Sequence, residues 1–277
     1  MKGGAVNFSS MDSPDTGHRN NQGLEAVSIT PDGKTLFAVL QSATLQDSSA
    51  GKSQTNRAVT RIYAYDISTD ALPKTAKAIC AMQLPVYSMK GDGKLDSTAA
   101  QSEMIVLDDH RFLLLARDGV GHGCGCKNPE MFKAVPIVDT SGTTNLAGTD
   151  FETGPKPISP ALDRRNILDP TITPAKSAVL VNLLNAVQLV RLGVNIDNAA
   201  ANDLTFSDKW EAMALVPALD PVAPNDAFVF IGNDSDFLNT KGKMHGRAFD
   251  AGLENDTFAL AYRLTLPGDV AKTLAAR

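Results

Sequence analysis

The sequence predicts an all-β fold: an incomplete β-propeller in which about three four-stranded blades are present and the N-terminal blades are missing. Short apolar runs recur in pairs about polar turns, which is the pattern of antiparallel hairpins. The first runs, EAVSI, EMIVL and EAMAL, are apolar or small on both faces, as in sheets stacked like blades. Closure takes about four blades, and the last unit lacks a fourth strand. Open edges are therefore expected to expose apolar surface.

The central hairpin is the stretch Gln101–Asp118, QSEMIVLDDHRFLLLARD. Glu103 heads its first strand, an acidic turn follows at Asp108–Asp109, and the second strand ends at Arg117 and Asp118. Antiparallel pairing about that turn brings the glutamate close to the arginine. The pattern therefore predicts opposite charges together at one end of an otherwise apolar pair of strands.

The same arrangement occurs upstream and downstream. Upstream, Glu25 heads a strand, Pro31–Gly33 forms the turn, and the second strand ends at Gln41. Downstream, Glu211 heads a strand, a loop rich in Pro and Asn turns, and an acidic cluster containing Asp234 closes the second strand. This loose repeat predicts that the three glutamates at the heads of the hairpins lie close together near one axis.

The remaining elements complete the units around these hairpins. Residues 1–22 are polar and irregular, residues 23–268 form the propeller domain, and residues 269–277 form a tail. Runs of β-branched and aromatic residues indicate strands, and a helical pattern ending at Gly193 indicates a short amphipathic helix. The further strands are Thr60–Ile67, Ala76–Leu84, Lys133–Asp139, one within Pro170–Leu183, Ala227–Ile231 and Thr257–Leu266, and the helix is Asn182–Leu192.

Composition narrows the function classes. The net charge of −5 argues against a nucleic-acid partner, and an anionic substrate would need local cations or a metal. No apolar run approaches the length of a membrane span, and the N-terminus has no apolar signal-peptide region. Three cysteines in 277 residues do not make a disulfide framework. Composition alone therefore leaves the cellular compartment open.

Converging glutamates repel one another unless a cation, shared protons or arginine partners offset the charge. Oxygen ligands suit a hard cation such as Ca²⁺ better than zinc. Such a metal would bind a phosphate or carbonyl oxygen while a carboxylate activates water, and Arg117 and Arg61 would orient an anionic ester. The alternative is structural: each glutamate caps backbone N–H groups or pairs with an arginine.

Two polar clusters carry weaker signals. Asn233–Asp236, NDSD, resembles a calcium loop but lacks the EF-hand continuation, so a polar turn is favoured. The H-x-C-x-C group of His122, Cys124 and Cys126 offers soft ligands for zinc or copper, but its cysteines are closer in sequence than structural zinc sites require. A flexible surface loop is favoured there. Cys80 is predicted to be a small buried hydrophobic residue.

The stretches NQGLEAVSITPDGKTLFAVLQSAT, QSEMIVLDDHRFLLLARDG, KWEAMALVP and AGLENDTFALAYRLTLPG occur in this order between Asn20 and Gly268. They resemble the phytase-like family, often called "esterase-like activity of phytase", which is common among secreted fungal and bacterial proteins. The resemblance implies an extracellular propeller with a hydrolytic cluster of Glu and Asp. The positions that match the family's motifs are Glu25, Gln41, Arg61, Glu103, Arg117, Asp118, Glu211, Asp234, Glu254 and Asp256.

Residues and resemblance together predict a metal-assisted hydrolase of phosphate esters, with Ca²⁺ as cofactor, a small anionic ester as partner, and neither nucleic acid nor membrane. The predicted catalytic residues are Glu25, Glu103, Glu211 and Arg117, and Arg61 and Gln41 are predicted to bind substrate. The predicted metal ligands are Glu25, Glu103, Asp118, Glu211, Asp234, Glu254 and Asp256. Two alternatives stay open: a calcium-dependent lactonase-like hydrolase and a non-catalytic propeller that binds a ligand or partner.

Overall fold

The computed structural model describes residues 16–48, 57–160 and 168–275, and its regular structure is mainly antiparallel β-sheet. In chain order the elements are β1 (Leu24–Ile29), β2 (Thr35–Leu40), β3 (Val59–Asp66), β4 (Ala78–Gln83), β5 (Val86–Tyr87), β6 (Ser97–Thr98), β7 (Ala100–Val106), β8 (Arg111–Arg117), β9 (Lys133–Asp139), β10 (Lys176–Asn182), α1 (Ala186–Arg191), a 3₁₀ turn (Asn198–Ala200), β11 (Trp210–Pro217), β12 (Asp226–Asn233), β13 (Gly242–Met244), β14 (Arg247–Phe249), β15 (Ala259–Thr265) and α2 (Gly268–Ala275).

Three sheets account for most of the strands. Sheet 1 has the order β1-β2-β3-β4, sheet 2 the order β7-β8-β9-β10, and sheet 3 the order β11-β12-β15. Each is a meander in which neighbouring strands are antiparallel. The all-β prediction is confirmed, and the third unit lacks a fourth strand within the described residues, as expected.

The two middle strands of sheet 2, β8 and β9, are packed on both faces, which explains why they are apolar over most of their length, whereas the edge strand β10 is largely exposed. One face brings Phe112 against Phe37 of sheet 1, with ring centroids 6.0 Å apart. The alternate residue Leu113 points to the opposite face, into a core shared with Trp210 and Ile231 of sheet 3. Side chains alternate between faces along a strand, so a doubly covered sheet needs apolar residues at nearly every position.

The outer faces of sheets 1 and 3 differ. The long connection from β9 to β10 lays Leu146 and Ile158 over Ile79 on the outer face of sheet 1. The outer face of sheet 3 instead leaves Val216 and Phe230 exposed, at 41% and 42%. The expected exposed apolar surface is therefore present on sheet 3.

Helix α1 ends where the sequence signals it, at Gly193, but begins later than predicted. The side chain of Asn185 caps its N-terminus by accepting hydrogen bonds from the amides of Val187 and Gln188. Gly193, with a φ of +71°, ends it. The helix is shorter than the predicted Asn182–Leu192 because Asn182 is the last residue of β10 and Asn185 is the N-cap.

The C-terminal segment is a correction to the predicted tail. Residues 268–275 form α2, which lies against β11 and buries Val270, Ala271 and Leu274 in the core shared by sheets 2 and 3. Its three apolar residues recur at helical spacing, so they form one stripe that faces the sheets. None of the described helices is long and apolar enough to cross a membrane.

Candidate functional site

The first strands of the three sheets lie side by side, β1 against β7 and β7 against β11. Each carries a register irregularity near its start. The residue left without a cross-strand partner is Glu25 in β1, Ser102 in β7 and Glu211 in β11. A bulge turns a side chain away from the regular alternation and often lies beside a functional site. These three positions are therefore structurally equivalent.

Arg117, at the end of β8, joins two of these positions. Its Nη2 donates a hydrogen bond to Oε1 of Glu211, its Nε donates to Oγ of Ser102 at 3.1 Å, and its Nη1 donates to the carbonyl of Asp118 at 3.4 Å. The Arg117 side chain is 9% exposed and the Glu211 side chain 26% exposed, so the pair lies at the edge of the buried interior. The predicted pairing of this arginine with Glu103 of its own hairpin is wrong: the carboxylate bound to Arg117 is that of Glu211 in sheet 3.

Glu25 completes the group electrostatically. Burial and the nearby carboxylate of Glu211 raise its pKa, although Arg117 and Lys209 act in the opposite direction. Burial lowers the pKa of Lys209, but its hydrogen bond to Asp236 and the charge of Glu211 outweigh this and raise it. Two carboxylates and two cations thus share one partly open region, which we call the Arg117 cluster (Glu25, Ser102, Arg117, Lys209 and Glu211).

Glu103 lies one residue beyond the bulge of β7 and outside this cluster. It pairs with Leu115 across the hairpin instead of with Arg117, and its Oε1 accepts a hydrogen bond from the amide of Met104 at 2.7 Å. Burial raises its pKa, against that hydrogen bond, and neither Glu25 nor Glu211 contributes to the shift. A register offset of one residue moves a side chain to the other face of a strand, so Ser102 occupies the position that the sequence repeat assigned to Glu103.

Asp118 belongs to a separate, sealed group. Its carboxylate accepts hydrogen bonds from the amides of Val120, Met131 and Phe132 and from Nζ of Lys133 at 2.5 Å. The side chains of Asp118 and Lys133 are completely buried. With four donors already bound, the carboxylate has little capacity left for a metal ion.

Glu130 extends this sealed group. Its Oε2 lies 3.2 Å from Nζ of Lys133 without hydrogen-bond geometry, and neither carboxylate oxygen has a hydrogen-bond partner among the described residues. Burial raises its pKa to about 8, partly offset by Lys133 and reinforced by Asp118. We call Asp118, Glu130 and Lys133 the Lys133 cluster.

The two predicted substrate-binding residues lie elsewhere. Arg61 donates from Nε and Nη2 to both oxygens of Asp47, at 2.6 and 2.8 Å, and from Nη1 to the carbonyl of Phe151 at 2.7 Å. The side chain of Asp47 is fully buried and that of Arg61 is 8% exposed, so this guanidinium is not open to a substrate. Gln41 approaches the central region through its backbone: its carbonyl accepts a hydrogen bond from the amide of Gln101 at 3.4 Å.

The three remaining predicted ligands lie in turns and loops. Oδ1 of Asp234 accepts a hydrogen bond from the amide of Asp236 at 2.8 Å, as in the favoured polar turn. Oε2 of Glu254 accepts from the amide and hydroxyl of Thr240. Asp256 contributes its backbone carbonyl, which accepts from Nδ2 of Asn233 at 3.1 Å.

A calcium ion needs six to eight oxygen ligands. Across the described ranges, no three side chains of the His, Cys, Asp or Glu type gather to hold a metal. The Arg117 cluster contributes two carboxylates, one of which is bound to a guanidinium. These residues alone therefore do not fit a calcium site.

The H-x-C-x-C group lies in a surface loop, as predicted, and its two cysteines are partly buried. Cys124 and Cys126 form a disulfide, and His122 is buried, with Nε2 2.7 Å from the carbonyl oxygen of Glu254. Cys80 is a buried free cysteine, as the sequence predicted, and Trp210 is fully buried.

Sequence reasoning missed Ser102 and Lys209. Ser102 precedes the glutamate that the repeat emphasised, and only the bulge reveals its equivalence to Glu25 and Glu211. Lys209 stands two residues before Glu211, in the same KWE motif, so a cation next to the repeated carboxylate was the signal available.

Comparison with known proteins agrees with the sequence motifs. The sequence model of the phytase-like family, described as "Esterase-like activity of phytase", matches residues 5–237. An "Uncharacterized secreted protein" of Arthroderma benhamiae is 29% identical over 238 residues, which cover 83% of this chain and 45% of the relative. The chain thus spans less than half the length of this curated relative. No solved structure matches. With well over half of its residues matched, the chain belongs to the phytase-like family.

Proposed function

We propose that the chain is part of an extracellular β-propeller hydrolase that cleaves phosphate esters at the Arg117 cluster. The family points to a phosphatase- or esterase-like hydrolase, and the Arthroderma benhamiae relative is described as secreted. One observation carries the proposal: Arg117 is held by Ser102 and Glu211 at the point where three first strands meet, with the Glu25 carboxylate within electrostatic reach.

The propeller arrangement is supported by the packing of the sheets. Three meanders stack with sheet 2 in the middle, and their first strands are neighbours in sequence order. Radial repetition of such sheets places first strands around an axis. The proposed site lies at one end of those strands, where three bulges coincide.

The chemistry follows from the charges present. Arg117 and Lys209 supply positive charge for the oxygens of a phosphate ester, and a guanidinium suits them because its N–H groups form a planar fork. The raised pKa of Glu25 brings its protonation closer to neutral pH, which suits a general base that takes a proton from the attacking water. Glu211 holds the guanidinium in place and keeps the region from becoming strongly cationic.

The test is hydrolysis of a matched panel: a phosphomonoester, a phosphodiester and a carboxylic ester of the same chromogenic alcohol. We expect turnover of a phosphate ester, and loss of at least about 100-fold in kcat/KM for Arg117→Gln, since a charged transition-state contact is removed. Arg263→Gln is the matched control, because Arg263 forms a surface pair with Asp220 and Asp226. Equal activity of the two variants, or turnover of the carboxylic ester alone, would refute the proposal.

Calcium remains a separate proposal, tested by titration calorimetry with the wild-type chain and with Glu25→Gln and Glu211→Gln. These two carboxylates are the predicted ligands that lie together. Binding that is lost in both variants would place the metal at the Arg117 cluster. Binding that neither variant affects would exclude the cluster as its site.

A second candidate function is binding without catalysis. It is favoured by the direct pairing of Arg117 with Glu211, which neutralises part of the charge that catalysis would use. A binder would show no turnover on the panel, yet inorganic phosphate would raise its Tm, and Arg117→Gln would abolish that rise.

A further inference from the structure

The loop after β8 contains a feature that the proposed hydrolysis does not use. Cys124 and Cys126 are joined by a disulfide, and both residues are only partly buried. The third cysteine, Cys80, is buried in the core between sheets 1 and 2. The chain therefore offers one accessible disulfide and one shielded thiol.

The ring that this disulfide closes is very small, because only Gly125 separates the two cysteines. Gly125 has a φ of +66°, a conformation that L side chains rarely adopt. Disulfide stabilisation through chain entropy grows with the length of the closed loop, so a bridge across one residue contributes little to global stability. Accessible disulfides of this kind are the readily reduced ones.

The same loop holds the segment that precedes β11. The amide of His122 donates to the carbonyl of Phe206 at 2.7 Å, and the amide of Asp208 donates back to the carbonyl of His122 at 3.3 Å. At Gly121 the two backbones are so close that a Cβ would lie 2.4 Å from the amide nitrogen of Asp208. The loop is thus fixed to residues 206–208 by backbone contacts on both sides of His122.

Those residues in turn position the start of β11. Trp210 stacks on Phe206 with ring centroids 4.4 Å apart, and its Nε1 donates to the carbonyl of Ser207 at 2.9 Å. Glu211, the partner of Arg117, is the next residue. A continuous set of contacts therefore runs from the disulfide loop to the Arg117 cluster.

We propose that the Cys124–Cys126 bridge is a thiol–disulfide exchange site, and that its reduction loosens the hold of the loop on residues 206–208. A dithiol is the co-reactant. One of its thiolates attacks a bridge sulfur, which breaks the S–S bond, forms a mixed disulfide and releases one cysteine as a thiolate. The second thiol of the dithiol then attacks the mixed disulfide and releases the other cysteine. The dithiol is oxidised to a disulfide by two electrons, and Cys124 and Cys126 each end as a thiol with one proton. Any effect of this loosening on hydrolysis, through Glu211, rests on the proposed function, whereas the exchange itself does not.

The test is reduction of the folded chain with dithiothreitol, followed by iodoacetamide and mass spectrometry. We expect alkylation of Cys124 and Cys126 while Cys80 stays unmodified, with an unchanged far-ultraviolet circular dichroism spectrum. Trp210 is the single tryptophan of the chain, so its fluorescence reports on the held segment directly. Its emission should shift on reduction, whether or not any ester is hydrolysed.

Two variants sharpen the result. The double variant Cys124→Ser/Cys126→Ser should show the shifted emission without reductant and no further response. Cys80→Ser should respond as the wild type does. The proposal is overturned if the bridge resists reduction until the chain unfolds, or if both cysteines are alkylated while the emission of Trp210 stays constant. Should the double variant fail to fold, reduction of the wild-type chain decides alone.

Discussion

Arg117 and Asp118 are neighbours in the chain, but their side chains belong to two different charge clusters. In the Arg117 cluster, the Glu211 carboxylate is partly exposed, and its charge helps to raise the pKa of a second carboxylate, Glu25. In the Lys133 cluster, the side chains of Asp118, Glu130 and Lys133 are wholly buried. Two adjacent residues at the end of β8 thus point into environments of opposite character.

The difference shows which of the two clusters has a carboxylate that can still interact with a ligand. Asp118 has four donors bound, so its role is to tie the loop 118–133 to the end of β8. The Arg117 cluster leaves Glu25 with a raised pKa and open to solvent, so a ligand can still change its state. A buried carboxylate whose hydrogen bonds are all made indicates a structural role. A partly exposed carboxylate with a shifted pKa indicates a functional one.

The largest expected effect comes from breaking the sealed cluster. Lys133→Met leaves Asp118 and Glu130 buried without their cation, so unfolding free energy should fall by about 3–5 kcal/mol. Denaturant titration measures this. Lys34→Met is the control, since Lys34 is an exposed partner of Asp32 and should lose no more than ~1 kcal/mol. Equal losses would show that the Lys133 cluster carries no special share of the stability.

The open cluster should respond in activity more than in stability. Arg117→Lys keeps the charge but loses the planar fork that spans Ser102 and Glu211, so kcat/KM for a phosphate ester should fall by roughly 10- to 100-fold. The unfolding free energy should change less than in Lys133→Met, because the lysine keeps a positive charge beside Glu211, whose side chain stays partly exposed. A matched loss in both quantities would make Arg117 a structural residue.

The pH dependence of stability gives an intermediate effect. Glu130 has a pKa of about 8 in the folded chain, above the ordinary value of 4.5. The folded state therefore binds more protons than the unfolded state between these values, and the contribution of Glu130 to stability is lost as pH rises towards 8. Glu130→Gln stays neutral, so at pH 9 it should unfold at a higher temperature than the wild type, by roughly 2–4 °C for each kcal/mol that the buried charge costs.

The control for this prediction is pH 4, where Glu130 is protonated in both states and the glutamine variant should unfold at nearly the wild-type temperature. Thermal unfolding by circular dichroism at both values provides the comparison. A constant difference between wild type and variant across this range would mean that Glu130 does not titrate as proposed.

Much of this fold was predictable because its signals are local. The three hairpins, the Lys133–Asp139 strand and the end of α1 follow from apolar runs, turn residues and Gly193. The C-terminal helix was missed because a short amphipathic segment has marginal stability alone and depends on the core that receives Val270 and Leu274. Its helical form is decided by tertiary packing.

The candidate site was only half predictable. The sequence repeat brought out Glu25 and Glu211 because each stands at a similar place before an apolar run. It assigned Glu103 by the same rule, but the bulge in β7 falls one residue earlier, at Ser102. No local signal marks a one-residue shift, since it arises from pairing between strands.

The smallest expected effect tests that shift. Glu103→Gln should change kcat/KM for a phosphate ester by less than about 2-fold, because the carboxylate accepts a hydrogen bond from the amide of Met104 and lies outside the Arg117 cluster.

Glu25→Gln, in contrast, should remove the acidic limb of the pH–rate profile. That limb reflects protonation of Glu25, whose pKa is raised above the ordinary value of a glutamate. Profiles of kcat/KM from pH 4 to pH 9 for wild type and both variants measure this. If Glu103→Gln abolishes the acidic limb and Glu25→Gln preserves it, the repeat in the sequence identifies the base and the bulges do not.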